Sequence, residues 1–171
     1  MKIRSKLLIG IALVGSIILI LLIPYRWSFV FFEQWTSKPI AYLPLNDEKT
    51  FQIRYTHSIH LSDVLETYCI TKGHSIQLST LEYEDFAIGM PSDAGEGEKF
   101  IEKDGKYIIS NMYQVFPSID ILIGDINQDL AFSYKENEYD LKEFLVRGDT
   151  YTFQVARLSL MDQLRGARIR E

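Results

Sequence analysis

Residues 7–23 form an unbroken run of 17 residues without a charged side chain, and three basic residues precede it. A run of this length lies at the short end of what crosses a bilayer as a helix. No small-x-small cleavage pattern follows Ile23, because the chain continues through Pro24, Tyr25, Arg26 and Trp27. We therefore expect an uncleaved signal anchor, assigned to residues 1–35, whose last aromatic residues lie in the membrane interface.

The distribution of positive charge predicts the orientation of this anchor. Three basic residues lie in the six positions before the apolar run, whereas the fifteen positions after it contain only Arg26 and Lys38. Basic residues remain preferentially on the cytoplasmic side of a membrane. The sequence thus predicts a single-pass protein of the cytoplasmic membrane, with its N-terminus inside and its C-terminal domain extracytoplasmic.

Length and charge limit what this domain can be. The chain has 171 residues, which leaves room for one domain after the anchor. Beyond Arg26, 14 basic residues stand against 23 acidic ones, a formal charge of -9. Such a domain is a poor candidate for binding nucleic acid or anionic lipid. The one cysteine, Cys69, excludes an internal disulfide bond and a thiolate metal cage.

The remaining sequence is typical of an all-β domain. Residues 36–49 contain Pro39 and Pro44, and this composition predicts a tether. The predicted tether leads to the domain at residues 50–171. Short β-branched and aromatic runs, separated by turn signals, predict an antiparallel sandwich or barrel. These predicted strands are residues 51–57, 65–71, 75–83, 106–111, 119–123, 130–134, 139–146 and 151–158. Residues 159–164 form either a short helix or a continued strand.

The first predicted hairpin contains most of the candidate site. If residues 51–57 pair with 65–71 through the loop at residues 60–63, Glu66 faces His57 and Tyr68 faces Tyr55. The apolar face of this hairpin would then end in a histidine and a carboxylate. Such a pair is either a hydrogen-bonded structural pair or the floor of a ligand pocket.

An enzyme function has little support in the sequence. His57 and Ser58 are neighbours on a predicted strand and point to opposite faces, so they cannot act as base and nucleophile. No G-x-S-x-G turn is present, and no helix presents His57, His60, His74 or Glu66 at the spacing of metal ligands. We therefore assign no catalytic residue, metal ligand or cofactor.

Residues 89–99, with the sequence GMPSDAGEGEK, interrupt the predicted strands. Three glycines and a proline in one segment indicate a loop, and loops on a β scaffold are where binding functions concentrate. A plain solvated connection is the alternative for this segment.

Four motifs in this order resemble the bacterial domain of unknown function 1850 family over residues 51–157. They are Y-T-H-S-I at residues 55–59, V-L-E-T-Y at 64–68, F-A-I-G-M-P at 86–91 and G-x-Y-I-I-S-N at 105–111. The matching positions are His57, Ser58, Glu66, Gly89, Met90 and Pro91. Ile88 departs from the small residue that the family pattern leads us to expect before Gly89.

The resemblance implies a small extracytoplasmic protein of the kind often encoded beside TRAP-type transporters of the TAXI class. We therefore expect an accessory module that binds a TRAP permease, its solute-binding protein or a small solute, and no nucleic acid. The expected binding residues are the six family positions together with Tyr55 and Tyr68. The alternatives are a structural membrane-tethered β domain without a pocket and an envelope hydrolase.

Overall fold

The structure is a computed structural model and describes residues 2–59, 61–84 and 90–170. The helices in these residues are α1 (Lys2–Leu22), α2 (Leu141–Phe144) and α3 (Leu160–Arg165). The first strands are β1 (Arg26–Glu33), β2 (Pro39–Pro44), β3 (Thr50–Thr56), β4 (Asp63–Ile70), β5 (Ile76–Tyr83), β6 (Lys99–Lys103) and β7 (Lys106–Ser110). They are followed by β8 (Val115–Phe116), β9 (Ile119–Leu122), β10 (Leu130–Tyr134), β11 (Asn137–Asp140), β12 (Thr150–Leu158) and β13 (Ala167–Arg168).

The strands form two sheets. The first sheet has the order β13-β2-β1-β12-β9, and the second has the order β11-β10-β3-β4-β5-β7-β6, with β8 also paired to β5. All neighbouring strands are antiparallel except β13 and β2. The mostly-β, antiparallel fold expected from the sequence is confirmed.

An aromatic cluster joins the two sheets. Phe29 and Phe153 of the first sheet pack against Phe51 and Phe132 of the second, and all four side chains are fully buried. The Phe29 ring lies 5.0 Å from that of Phe51 and 5.1 Å from that of Phe132, in edge-to-face geometry. These distances are favourable for aromatic pairs, and the contacts across the interior make the fold a sandwich.

β1 and β2 lie in segments that the sequence analysis assigned to the anchor and the tether. In β1, Phe29 and Phe31 face the interior between the sheets, while Val30 and Phe32 belong to a second buried cluster. A strand that is buried on both faces loses its polar–apolar alternation and resembles an apolar membrane-boundary segment. In β2, Pro39 and Pro44 are the first and last residues, where a missing N–H costs little.

The predicted strand at residues 139–146 is wrong in its second half. β11 ends at Asp140, whose side chain accepts a hydrogen bond of 2.8 Å from the backbone N–H of Lys142. This N-cap begins α2 and ends the strand. The short-helix alternative for residues 159–164 is confirmed by α3.

α1 leads directly into the sandwich. Its large apolar side chains from Leu8 to Leu22 are mostly exposed, with Leu8 at 67% and Leu19 at 66%. Over the described residues, no helix combines the length and the hydropathy that crossing a membrane requires. The transmembrane segment expected from the sequence stays a prediction.

Candidate functional site

The β3–β4 hairpin pairs in a different register from the predicted one. Glu66 lies opposite Ile53, and Tyr55 lies opposite Val64. The hairpin connection begins at His57, whose backbone N–H donates to the carbonyl of Ser62 at 2.8 Å. The predicted pairing of His57 with Glu66 is therefore wrong. The register differs by four residues, an even number, so each side chain still points to the predicted face.

Glu66 lies in a row of apolar side chains that crosses four strands. Its neighbours in this row are Ile53 on β3, Leu81 on β5 and Ile109 on β7, none of which is more than 7% exposed. Glu66 itself is partly buried. A carboxylate in such surroundings loses much of its hydration and needs hydrogen-bond donors.

Two tyrosines supply those donors. The hydroxyl of Tyr68 donates to Oε2 of Glu66 at 2.6 Å, and the hydroxyl of Tyr55 donates to Oε1 at 3.4 Å. Tyr68 lies two residues from Glu66 on the same face of β4, whereas Tyr55 reaches it diagonally from β3. Each carboxyl oxygen of Glu66 thus has one tyrosine partner. The contact to Tyr55 is longer than the contact to Tyr68.

Burial dominates the electrostatics of this cluster. It raises the pKa of Glu66, although the hydrogen bonds from Tyr68 and Tyr55 act in the opposite direction. Burial, followed by the negative charge of Glu66, also raises the pKa of both tyrosine hydroxyls. Both tyrosines consequently remain protonated and available as donors.

A cleft of about 400 Å³ lies beside this cluster, at the end of the sandwich where β3 passes into β4. Tyr55, His57 and Ser58 line it together with Ile53. Nδ1 of His57 accepts a hydrogen bond of 3.3 Å from the backbone N–H of Ile59, which orients the imidazole within the loop. Tyr55 therefore belongs both to the Glu66 cluster and to the wall of the cleft.

The opposite wall comes from the connection between β9 and β10. Leu122 at the end of β9 lines the cleft on this side, together with Gly124, Ile126 and Gln128 of the connection. The ammonium group of Lys142 donates to the carbonyl of Ile126 at 2.7 Å and also to that of Gln128, which holds the connection in place. Sequence reasoning missed these residues, because the Gly124–Asp125 turn signals a connection but not what it faces.

Of the predicted site residues Gly89, Met90 and Pro91, the structure describes Met90 and Pro91. Gly89 and Ile88 lie outside the described residues. Met90 is partly buried against the core, and the carbonyl of Pro91 accepts a hydrogen bond from the hydroxyl of Tyr83. Tyr83 lies opposite Val64, which in turn lies opposite Tyr55. Met90 and Pro91 are thus attached to the sheet that carries Glu66 but are not part of its cluster.

Metal binding has no support in the described ranges, where no group of three or more His, Cys, Asp or Glu side chains could hold an ion. His60, one of the histidines considered from the sequence, lies outside these ranges. The Glu66 cluster offers hydrogen-bonding groups and a carboxyl group, which are the kinds of polar group that orient a ligand in a binding site.

Comparison with known proteins identifies one family. Residues 51–141, more than half of the chain, match the sequence model of the family described as Domain of unknown function (DUF1850). The match covers β3 to β11 and therefore includes the Glu66 cluster and most of the cleft. No curated protein and no solved structure matches the chain.

Proposed function

We propose that this chain, which belongs to the domain of unknown function 1850 family, is a membrane-anchored accessory module on the outer face of the cytoplasmic membrane. It binds a small solute or a component of a TAXI-type TRAP transporter. The observation that carries this proposal is the cleft lined by Tyr55, His57 and Ser58, with the Glu66 carboxyl group directly behind Tyr55.

The geometry at Glu66 suits exchange with a ligand. The Tyr68 hydrogen bond of 2.6 Å is short and strong, whereas the Tyr55 contact of 3.4 Å is near the limit for a hydrogen bond. A ligand N–H or O–H group that enters past Tyr55 replaces the weaker contact. We therefore expect a ligand or partner group that donates hydrogen bonds, with an amine or hydroxyl group as the simplest case.

The membrane anchor is the second part of the proposal. The uncharged run at residues 7–23 and the basic residues before it support an anchor with its N-terminus inside. The exposed apolar side chains of α1 also support it, because an apolar medium would cover them. The association with a TRAP transporter comes from the family resemblance.

The cleft also separates this proposal from its main alternative. A purely structural tethered domain would need no opening near His57, and its interior there would be fully packed. A space of about 400 Å³ beside His57 favours a binding module. An envelope hydrolase, the other alternative, would need a nucleophile activated by a base.

Capture of the full-length protein from membranes tests the proposal. A C-terminally tagged wild type should co-purify with a TRAP permease or its solute-binding protein, and His57→Ala should lose this partner. His74→Ala is the matched control, because His74 lies in the β4–β5 connection at the opposite end of β4, stacked on Trp27. Capture that is unchanged in His57→Ala would contradict a role for the cleft in partner binding.

The solute alternative needs a separate measurement. Calorimetric titration of wild-type protein with the solute of a TAXI-type TRAP transporter should show binding, and Glu66→Gln should weaken it because a neutral amide attracts a donor group less strongly. Loss of folded protein in both His57→Ala and Glu66→Ala would instead favour a structural role for these residues.

A further inference from the structure

A second cleft, of about 610 Å³, opens at the end of the sandwich that α1 enters. Arg26, Lys135, Arg168 and Arg170 line it, and none of the other described lining residues is a carboxylate. This concentration of positive charge occurs in a domain whose formal charge beyond Arg26 is -9. Four cations around one cleft repel each other unless an anion lies between them.

Two of the four cations have acidic neighbours. Lys135 also borders an adjacent opening lined by Asp47, Glu48 and Glu136, and Arg170 borders one that contains Glu138 and Glu143. Arg26 and Arg168 border neither of these openings. Within the part of the chain that the structure describes, no ion pair involves Arg26 or Arg168. These two guanidinium groups are therefore the best placed to bind an external anion.

The position of this cleft follows from the junction between α1 and β1. Arg26 is the fourth residue after Leu22, the last residue of α1. The backbone N–H of Tyr25 donates to the carbonyl of Leu158 at 3.2 Å, and the amide of Gln163 donates to the Tyr25 hydroxyl at 3.2 Å. If α1 lies in the membrane, the cleft and α3 are both at the membrane boundary.

α3 adds an apolar surface at the same level. Leu160 and Leu164 are 38% and 77% exposed, and their spacing of four residues places them on one face of the helix. A helix with exposed leucines beside arginines is typical of segments that lie in the headgroup region of a bilayer. This observation is independent of the charges in the cleft and points to the same kind of partner.

We propose that Arg26, Arg168 and the exposed leucines of α3 form a membrane-binding surface for anionic phospholipids in the leaflet that faces the domain. The guanidinium groups bind headgroup phosphates, for which their paired N–H donors are well suited. Leu160 and Leu164 enter the headgroup boundary. The proposal rests on the membrane anchor of the proposed function and adds a second contact that orients the domain.

This contact refines the expectation that an acidic domain avoids anionic lipid. Net charge is a sum over the whole domain, whereas interactions between exposed charges are screened within about 10 Å at ordinary salt. The local positive cluster therefore determines the interaction at the membrane-proximal end. The acidic remainder of the domain is repelled and points away from the bilayer.

Full-length protein in nanodiscs tests this surface. Amide hydrogen exchange of residues 158–170 is compared in discs of phosphatidylcholine alone and in discs that also contain phosphatidylglycerol. We expect exchange to be at least about fivefold slower with phosphatidylglycerol, because each of the two arginines near a charged surface contributes a factor of about this size. The double variant Arg26→Gln/Arg168→Gln should lose this slowing. Arg147→Gln should retain it, because Arg147 is an exposed arginine between α2 and β12.

Three outcomes would overturn the proposal. Equal exchange in the two lipids would exclude recognition of anionic headgroups. Equal slowing by inorganic phosphate added to phosphatidylcholine discs would assign the cleft to a free anion. Failure of the full-length protein to enter discs at all would overturn the predicted membrane anchor. This outcome is seen when the discs are assembled, before any exchange is measured, so it is distinguishable from the other two.

Discussion

Glu66 shows how far a single residue can be understood from its neighbours in sequence. Val64, Glu66 and Tyr68 are two residues apart along the strand, which predicts that Glu66 points to the same apolar face of β4 as the other two. The structure agrees with this prediction. Its actual partners are the hydroxyls of Tyr68 and Tyr55, not His57. The residue types of the cluster were therefore found from the sequence, but their pairing was not.

The raised pKa of Glu66 predicts a specific dependence of stability on pH. The folded state binds this proton more tightly than the unfolded state, whose pKa is near the ordinary 4.5. The stability contributed by Glu66 is thus fully present below that value and is lost as pH rises through the folded-state pKa. Glu66→Gln has no proton to lose. Its free energy of unfolding, measured with urea over a range of pH, should rise relative to wild type as the pH increases above the ordinary carboxyl value of 4.5.

The control for this measurement is Glu102→Gln, because Glu102 is exposed on β6. The difference between Glu102→Gln and wild type should stay nearly constant over the same pH range. A Glu66→Gln difference that is equally constant would show that the carboxyl group keeps its ordinary pKa in the folded protein.

At the scale of secondary-structure elements, the face to which each side chain of a strand points was predictable, whereas the register between two strands was not. The period of two predicted the faces of β3 and β4, because alternation is a property of a single strand. The register between them depends on where the loop is centred, and the actual connection, residues 57–62, is centred two residues earlier than the predicted loop at residues 60–63. Backbone bonds and a positive φ of 56° at Leu61 determine that loop, and neither can be read from its composition.

α3 offers a test of stability at the level of an element. The hydroxyl of Ser159 accepts a hydrogen bond from the backbone N–H of Asp162 at 3.1 Å, and the Asp162 carboxylate accepts one from the backbone N–H of Ser159 at 3.0 Å. Ser159→Ala removes half of this capping box and should lower the free energy of unfolding by about 1 kcal/mol. Hydrogen exchange at Asp162 and Gln163 should become faster.

Ser92→Ala is the matched control, since Ser92 is exposed in the loop before β6 and caps no helix. It should leave both the free energy of unfolding and the exchange rates in α3 unchanged. Unaltered exchange in α3 of Ser159→Ala would mean that packing against β2 and β12, not the cap, holds this helix.

At the scale of the whole molecule, the sandwich needs strands that lie far apart in sequence. β1 pairs with β12 on one side and with β2 on the other, so it occupies the centre of the first sheet. The family match begins at residue 51 and does not include β1 or β2. The folded domain is therefore larger than the segment by which the family is recognised.

Truncation tests this conclusion. A chain that begins at Pro24 retains β1 and should unfold cooperatively in urea. A chain that begins at residue 36 loses Phe29 and Phe31, both fully buried. Deletion of one large buried aromatic side chain costs about 3–5 kcal/mol, and a domain has only about 5–15 kcal/mol in total. We expect the shorter chain to be aggregated or without a cooperative transition. A transition of equal midpoint in both chains would contradict the central role of β1.

The sequence by itself determined the β class, the faces of the strands and the family, because these depend on alternation, turn residues and motifs that lie close together along the chain. Tertiary structure decided that β1 and β2 belong to the sandwich, that Tyr55 and Tyr68 bind Glu66, and that Arg26 lies near Arg168. A strand buried on both faces has no alternation to reveal it. Contacts between distant residues depend on register and sheet order, which arise only when the two faces pack together.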